Sequence, residues 1–193
     1  MIESLRLFIQ HISPQFDMDW RQVEYLLEKR TLNKGEFLFQ EGDICKFVGL
    51  TLKGCLRMFF LKDGKELTLF FHHENYAVGD YQSFRLQCPA CFSCQAIEDS
   101  EVLILNQQVI QALESALNGQ QLLRLIVEYQ AFQLRDRLMS LYRDTPEQRY
   151  LDLIETQPKL LQRIPQHYLA SYLGIEPESF SRLKRRMYQK NIS

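Results

Sequence analysis

Two short stretches hold the side chains best suited to catalysis or metal chemistry. In Cys88-Pro89-Ala90-Cys91-Phe92-Ser93-Cys94, three thiols recur at a spacing that iron–sulfur ligation uses, with Cys55 or Cys45 as a possible fourth ligand. The residues around Cys91 and Cys94 read as entering a strand, where an odd offset sends side chains to opposite faces, so ordinary buried thiols are the competing reading. His72 and His73 could ligate a haem iron, yet neighbours in a strand also face opposite ways, which fits one core and one surface histidine. His72-His73-Glu74 lacks the wider spacing and distant third histidine of a metal-dependent cupin enzyme. No metal and no catalytic set is therefore expected. Carboxylates and histidines are scattered, and neither a glycine-rich phosphate loop nor a nucleophile elbow occurs.

The third grouping is basic. Residues 157–193 hold Lys159, Arg163, Arg182, Lys184, Arg185, Arg186 and Lys190 against only Glu176 and Glu178, while the rest of the chain holds 16 basic and 22 acidic side chains. The overall charge of −1 conceals this asymmetry. A basic end on an acidic body suits a polyanionic partner. A plain solvated terminus is the alternative.

The elements around that basic end decide between the two. Leu169 and Leu173 form the inner face of one short helix, and Ala170 is small enough for a second helix to cross close above it. Gly174 can take the left-handed turn conformation, Ile175 plugs the corner, and Phe180 and Leu183 anchor the second helix. Pro165 and Pro177 open the two helices. Every position of a helix-turn-helix template is filled, although a helical hairpin would use similar residues. The second helix would enter the major groove. Glu178, Arg182 and Arg185 or Arg186 would then face base edges, while Ser179, Lys184, Arg186 and Lys190 suit phosphates.

Upstream, residues 1–30 show helical spacing of apolar residues interrupted by Pro14. From Leu32 to about Leu105 short apolar runs are punctuated by glycines, as in an all-β sandwich or barrel. Asp63-Gly64 between Arg57–Leu61 and Leu67–Phe71 predicts a hairpin. Val109 to Tyr142 carries no proline and reads as a long helix. Leu122, Leu125, Tyr129 and Phe132 form one stripe on it, and Ile126, Leu134, Leu138 and Leu141 a neighbouring one. A face this wide can pack on its own barrel and on the same helix of a second chain, unless the helix is simply buried in a monomer. Thr145-Pro146-Glu147-Gln148 predicts a capping box opening the next helix.

Tyr168-Leu169-Ala170-Ser171-Tyr172-Leu173-Gly174-Ile175, followed by Pro177-Glu178-Ser179 and Arg182, resembles the DNA-binding end of Crp/Fnr transcription regulators. Lys34-Gly35-Glu36-Phe37-Leu38-Phe39-Gln40-Glu41-Gly42-Asp43, Leu52–Arg57 and Val78-Gly79-Asp80 resemble the glycine corners of their cyclic-nucleotide-binding barrel. The resemblance covers nearly the whole chain. It implies an α+β protein with an N-terminal double-stranded jelly-roll β-barrel, a long dimerisation helix, and a C-terminal winged-type helix-turn-helix. The corresponding ranges are 1–116, 117–143 and 144–193, with any wing preceding Pro165. It also implies a homodimer on a two-fold symmetric DNA site and RNA polymerase as a partner. By the family pattern Glu178 and Arg182 read bases and Ser179 touches phosphate, while Pro177 stands where an arginine would reach for a base.

In such barrels a short helix, an arginine and a small hydroxyl residue hold the cyclic phosphate. The effector pocket here would comprise Gly79, Asp80, Arg85, Ala90 and Cys91. Ala90 takes the place of the arginine and Cys91 that of the hydroxyl, so the effector is expected not to be cyclic AMP. Arg85 is the nearest substitute cation.

With 46% hydrophobic and 24% charged residues, no signal peptide and no membrane-spanning run, a cytoplasmic protein with reduced thiols is expected. No cofactor is implied beyond an unidentified small-molecule effector. A small-molecule-binding module with a helical tail for protein contacts is the rival reading.

Overall fold

In a computed structural model residues 1–190 are described, except the side chains of Tyr188 and Lys190. The phosphate role expected for Lys190 lies outside what is described.

Two helices, α1 (Ile2–Ile12) and α2 (Arg21–Glu24), precede the β region and bury Leu5, Ile9 and Val23 against it. The strands follow as β1 (Glu28–Leu32), β2 (Phe37–Phe39), β3 (Phe47–Lys53), β4 (Leu56–Lys62), β5 (Lys65–His72) and β6 (Ala77–Val78). Helix α3 (Tyr81–Leu86) then leads to β7 (Ser93–Ala96) and β8 (Ser100–Asn106). They form two antiparallel four-stranded sheets, ordered β1-β8-β3-β6 and β2-β7-β4-β5. The expected closed barrel is thus an open jelly-roll-like sandwich: each sheet keeps its own edges, and β5 is an edge strand. Asp63 and Gly64 make the β4–β5 turn with φ of 52° and 76°, which matches the predicted hairpin.

The long helix is broken once. Helix α4 (Gln107–Ser115) ends on Ala116, Asn118 takes a left-handed φ of 63°, and α5 runs from Gly119 to Arg143. The break depends on glycine: a Cβ on Gly119 would lie 1.9 Å from the carbonyl oxygen of Leu113. Asn106 caps α4 by accepting from the Val109 N–H at 3.1 Å.

Helices α6 (Pro146–Thr156), α7 (Pro158–Leu161), α8 (Gln166–Leu173) and α9 (Pro177–Lys190) complete the described residues. The predicted capping box is present, with Thr145 and Gln148 bonded reciprocally at 2.8 and 3.2 Å. Among the described residues, 144–190 hold helices only, so the expected β-wing is replaced by α6 and α7.

Two apolar cores result. One fills the sandwich and the space under α1, α4 and the first turns of α5. The other gathers Leu153, Leu160, Ile164, Leu169, Leu173, Phe180 and Leu183, yet it also contains Cys55, Phe71 and Ile97 of the sandwich. The C-terminal helices are therefore packed on the β region. Among the described residues no helix is long and apolar enough to cross a membrane.

Candidate nucleic-acid interface and sensor pocket

Helices α8 and α9 meet around a tight turn. Gly174 sits at φ 73° and ψ 30°, its N–H donates to the Ser171 carbonyl at 3.1 Å, and Ile175 N–H donates to Ala170 at 3.0 Å. Ala170, Leu173 and Phe180 are fully buried at the crossing, as the spacing predicts. Tyr150 supports it from α6, edge-on to Phe180 with ring centroids 5.0 Å apart.

The charged residues of α9 divide between two faces. Glu178, Arg182, Arg185 and Arg186 are exposed and recur at four- and three-residue intervals, one outward stripe. Arg182 donates to Ser179 Oγ at 3.2 Å, and Arg186 approaches Glu147 at 3.9 Å. Lys184 departs from this set. Its ammonium lies 5.0 Å from the Phe180 ring centroid, so its stem folds back along the inner side of the helix.

Two buried arginines, unremarked in the sequence, fix the orientation of this unit. Arg149 donates to the Leu173 carbonyl at 2.6 Å, at the end of α8, and to Asp144 at 2.5 Å and Ser140 at 3.2 Å, at the end of α5. Arg137, projecting from α5, donates to the neighbouring Tyr172 carbonyl and stacks on the Tyr172 ring at 3.7 Å. Cations at helix C-termini satisfy orphan carbonyls and oppose the helix dipole. Burial pulls both guanidinium pKa values down. The available sequence signal was Arg149 lying one turn before Leu153, a charge on an apolar face.

Contacts with the sandwich run along β5. The Thr68 N–H donates to Ser171 Oγ at 2.9 Å, and that hydroxyl donates to the Glu66 carbonyl at 2.7 Å. A side chain of α8 thereby supplies the ladder partner that an edge strand lacks. Arg57, 1% exposed, stacks between Tyr168 at 3.7 Å and Phe59 at 3.9 Å and pairs with Glu66 at 2.5 Å.

The pocket residues are brought together around α3. Gly79 precedes it with φ 142°. Asp80 caps it, accepting from the Ser83 N–H at 2.9 Å, and its second oxygen accepts from the Cys91 N–H at 3.3 Å. Ser83 Oγ accepts from the Cys45 N–H and donates to the Cys88 carbonyl. Ala90 is buried, with its N–H bonded to Asp43 and its carbonyl to Gly42, both at 2.8 Å. Arg85 points elsewhere, into an ion pair with Glu114 of α4 at 2.7 Å. The site offers no arginine or lysine to a cyclic phosphate from these positions, and Asp80 is committed to the protein's own N–H groups. Burial, and then Asp80, raise the Cys91 thiol.

The other chemical candidates are placed as structural residues. His72 Nδ1 bonds to the Ala77 carbonyl at 2.7 Å, and burial pushes its pKa down to about 4, leaving a neutral ring. His73 lies against the Tyr76 ring at 4.5 Å. Cys45, Cys55 and Cys94 are buried and Cys91 is exposed; all five thiols are free. Among the described residues, no three His, Cys, Asp or Glu side chains converge on a metal-sized site.

On α5, Leu122 is fully buried in the chain's own core and cannot face a second chain, contrary to the stripe read from the sequence. Leu125 is half-buried. Tyr129 is exposed, but its hydroxyl raises that of the chain's own Tyr76, whose pKa is raised first by burial. Phe132 is exposed. Val127, Ala131, Leu134, Leu138 and Leu141, at alternating four- and three-residue intervals, form an exposed apolar seam on another side of the helix.

Residues 29–116 match the cyclic nucleotide-binding domain family. FixK2 from Bradyrhizobium japonicum superposes with a TM-score of 0.74 at 18% identity, covering 86% of each chain. A regulator assigned to the crp/fnr family, from Eubacterium rectale, superposes at 0.69 with 15% identity, over 89% of this chain and 82% of that one. The chain has the Crp/Fnr fold. The c-di-GMP responsive global regulator CLP of Xanthomonas campestris shares it at 0.69 and 15% identity, over 99% and 93% of the two chains. The anaerobic regulatory protein of Bacillus subtilis is 30% identical over 90 residues, 46% of this chain and 38% of that protein. CLP, the Eubacterium rectale protein and the Bacillus subtilis protein are each described as regulators.

Proposed function

We propose that this protein is a DNA-binding transcription regulator acting as a homodimer in the cytoplasm. The observation that carries the reading is the α8–α9 unit: Phe180 and Leu183 are buried inward while Glu178, Arg182 and Arg185 stand exposed on the opposite face. Arginine pairs bidentately with guanine and glutamate accepts from cytosine, so the outward stripe is suited to base edges. The dimer forms through α5, along Val127, Ala131, Leu134, Leu138 and Leu141. This 4-3 repeat is the pattern that seals two helices against each other. Two recognition helices related by a two-fold address half-sites about 10 base pairs apart. RNA polymerase is the expected protein partner. The sensor sandwich takes an effector other than cyclic AMP, because neither Ala90 nor Arg85 offers a cation to the phosphate.

Selection of duplexes from a random pool with the purified protein tests the reading. A palindromic consensus is expected. Arg182→Ala is expected to cost about 1–3 kcal/mol on that consensus and to relax one base per half-site. Recovery of no duplex at low salt overturns the DNA-binding assignment.

A further inference from the structure

The tip of the β4–β5 hairpin belongs to the sensor sandwich, yet it reaches the C-terminal helices. Its two-residue turn sets Lys62 directly across from Lys65. Both are exposed, as are Asp63 and Gly64 between them. Like charges placed directly opposite on a ladder repel each other. The hairpin therefore sets two lysines directly opposite each other at its exposed end, an arrangement that a polyanion would relieve.

Among the described residues, the only ion pair at that tip points to where the polyanion lies. Lys65 pairs with Glu176, the residue before Pro177 and the start of α9, and Glu178 adds a weaker attraction. The hairpin tip thus stands beside the N-terminal end of α9, the end that is proposed to enter the major groove. Its place is fixed by the Ser171 bonds to β5, by the Arg57–Tyr168 stack and by the shared core under Phe71. When a helix N-terminus sits in a major groove, the phosphates of the groove walls pass on either side of it. The Lys65–Glu176 pair is exposed, and such pairs contribute little, so exchanging Glu176 for a phosphate costs little.

We propose that Lys62 and Lys65 form a second DNA contact, a sensor-domain hairpin that grips the phosphate backbone beside the recognition helix. The proposal rests on the DNA-binding reading above. It is a backbone contact and carries no sequence information. Each lysine that neutralises a phosphate releases counterions and steepens the salt dependence of binding.

The test compares the full-length wild type, Lys62→Gln with Lys65→Gln, and Glu176→Gln, on the selected duplex and on a random duplex, between about 50 and 200 mM salt. The double variant is expected to weaken binding to both duplexes by the same factor. It should flatten the slope of log K against log salt by about 0.9 per lysine lost, with base preference unchanged. Glu176→Gln, which frees Lys65 and removes a carboxylate, is expected to tighten binding to both. A double variant with the wild-type slope and affinity overturns the hairpin contact while leaving DNA binding intact. So does weakening by Glu176→Gln in parallel with the double variant, which would make the pair a mere tether. A wild type that binds neither duplex overturns the underlying DNA-binding reading instead.

Discussion

Arg163 donates two hydrogen bonds to the carboxylate of Glu74, at 2.8 and 2.9 Å, across the boundary between the sandwich and the C-terminal helices. Its Nε also reaches Glu98 at 3.0 Å. Glu74 lies between β5 and β6, Glu98 between β7 and β8, and Arg163 between α7 and α8. One guanidinium thus joins two loops of the sandwich to the segment that precedes α8. Beside it Cys55, Phe71 and Ile97 share a core with Leu160, Ile164 and Leu169. The sandwich and the C-terminal helices are held here as one packed unit.

This clamp should fail in acid. Burial alone would raise the Glu74 carboxyl, but hydrogen bonds from Arg163 and from the main-chain N–H groups of Glu74 and Gly54 outweigh it and bring the pKa down to about 2. The ordinary value is about 4.3. A folded-state pKa below the unfolded one stabilises fully at higher pH and loses that contribution as the pH falls from about 5 toward 2. Because the clamp is about a third exposed, solvent screens it, and Arg163→Gln should cost only about 1 kcal/mol near pH 7. The gap between variant and wild type in denaturant unfolding should close near pH 2. A gap independent of pH would show that Glu74 does not titrate with the clamp. At pH 7 the same variant should speed alkylation of Cys55, which is buried and whose thiol is pushed up to about 12 by that burial.

Much of this architecture was legible because its signals are local. The Asp63-Gly64 hairpin, the Thr145 capping box and the α8–α9 turn each depend on residues within a few positions of one another, and each is present. Strand spacing left sandwich and barrel open because it reports alternation but not closure, and the barrel implied by the resemblance is an open sandwich. The break at Gly119 was missed because a lone glycine in a helical pattern does not reveal that another main chain, at Leu113, approaches it. Periodicity grouped the buried Leu122 with Leu125, Tyr129 and Phe132 because it cannot tell which apolar side of a helix its own domain covers. Arg137, Arg149 and Arg163 were unread as structural residues because their partners are mostly main-chain carbonyls or carboxylates far along the chain.

The α5 seam can be separated from its flank. Leu134 and Leu138 are 58% and 51% exposed in the single chain, a large apolar display for a helix of a lone monomer. Leu134→Glu with Leu138→Glu would bury two unpaired charges at a dimer contact. Sedimentation should then find monomers with an unchanged circular dichroism spectrum. Phe132→Ser, on the other side of the helix, should stay dimeric. Dimers in the first variant and monomers in the second would move the interface to the Tyr129–Phe132 side.

Gly119→Ala should be costly for its size. The added methyl would meet main-chain oxygens of Leu113 at 1.9 Å and Glu114 at 2.9 Å, and neither can yield without disturbing the end of α4. Overpacking of this kind destabilises by about 1–3 kcal/mol, and a main-chain clash belongs at the upper end. Gly35→Ala, at a left-handed turn with open space around the new methyl, should cost about 1 kcal/mol through backbone strain alone. Thermal unfolding should therefore rank Gly119→Ala below Gly35→Ala. The reverse order would mean that the α4–α5 junction relaxes freely.

The sandwich should bind cyclic AMP poorly, for a reason visible at three positions. A cyclic phosphate carries a full negative charge, and taking it out of water costs several kcal/mol unless a cation and N–H donors replace the solvent. Ala90 presents only a methyl group, and its own N–H and carbonyl are already bonded to Asp43 and Gly42. Asp80 adds a negative charge whose two oxygens cap Ser83 and Cys91. Arg85, the nearest substitute cation, is held by Glu114 of α4. Loss of one charge-assisted hydrogen bond costs about 1.5–3 kcal/mol, or about one to two decades of affinity. Calorimetry against cyclic AMP and cyclic GMP should give no saturation in the micromolar range, and Arg85→Ala should leave that result unchanged. A micromolar dissociation constant that Arg85→Ala abolishes would mean that the Arg85–Glu114 pair opens on binding and that Arg85 turns inward to the phosphate.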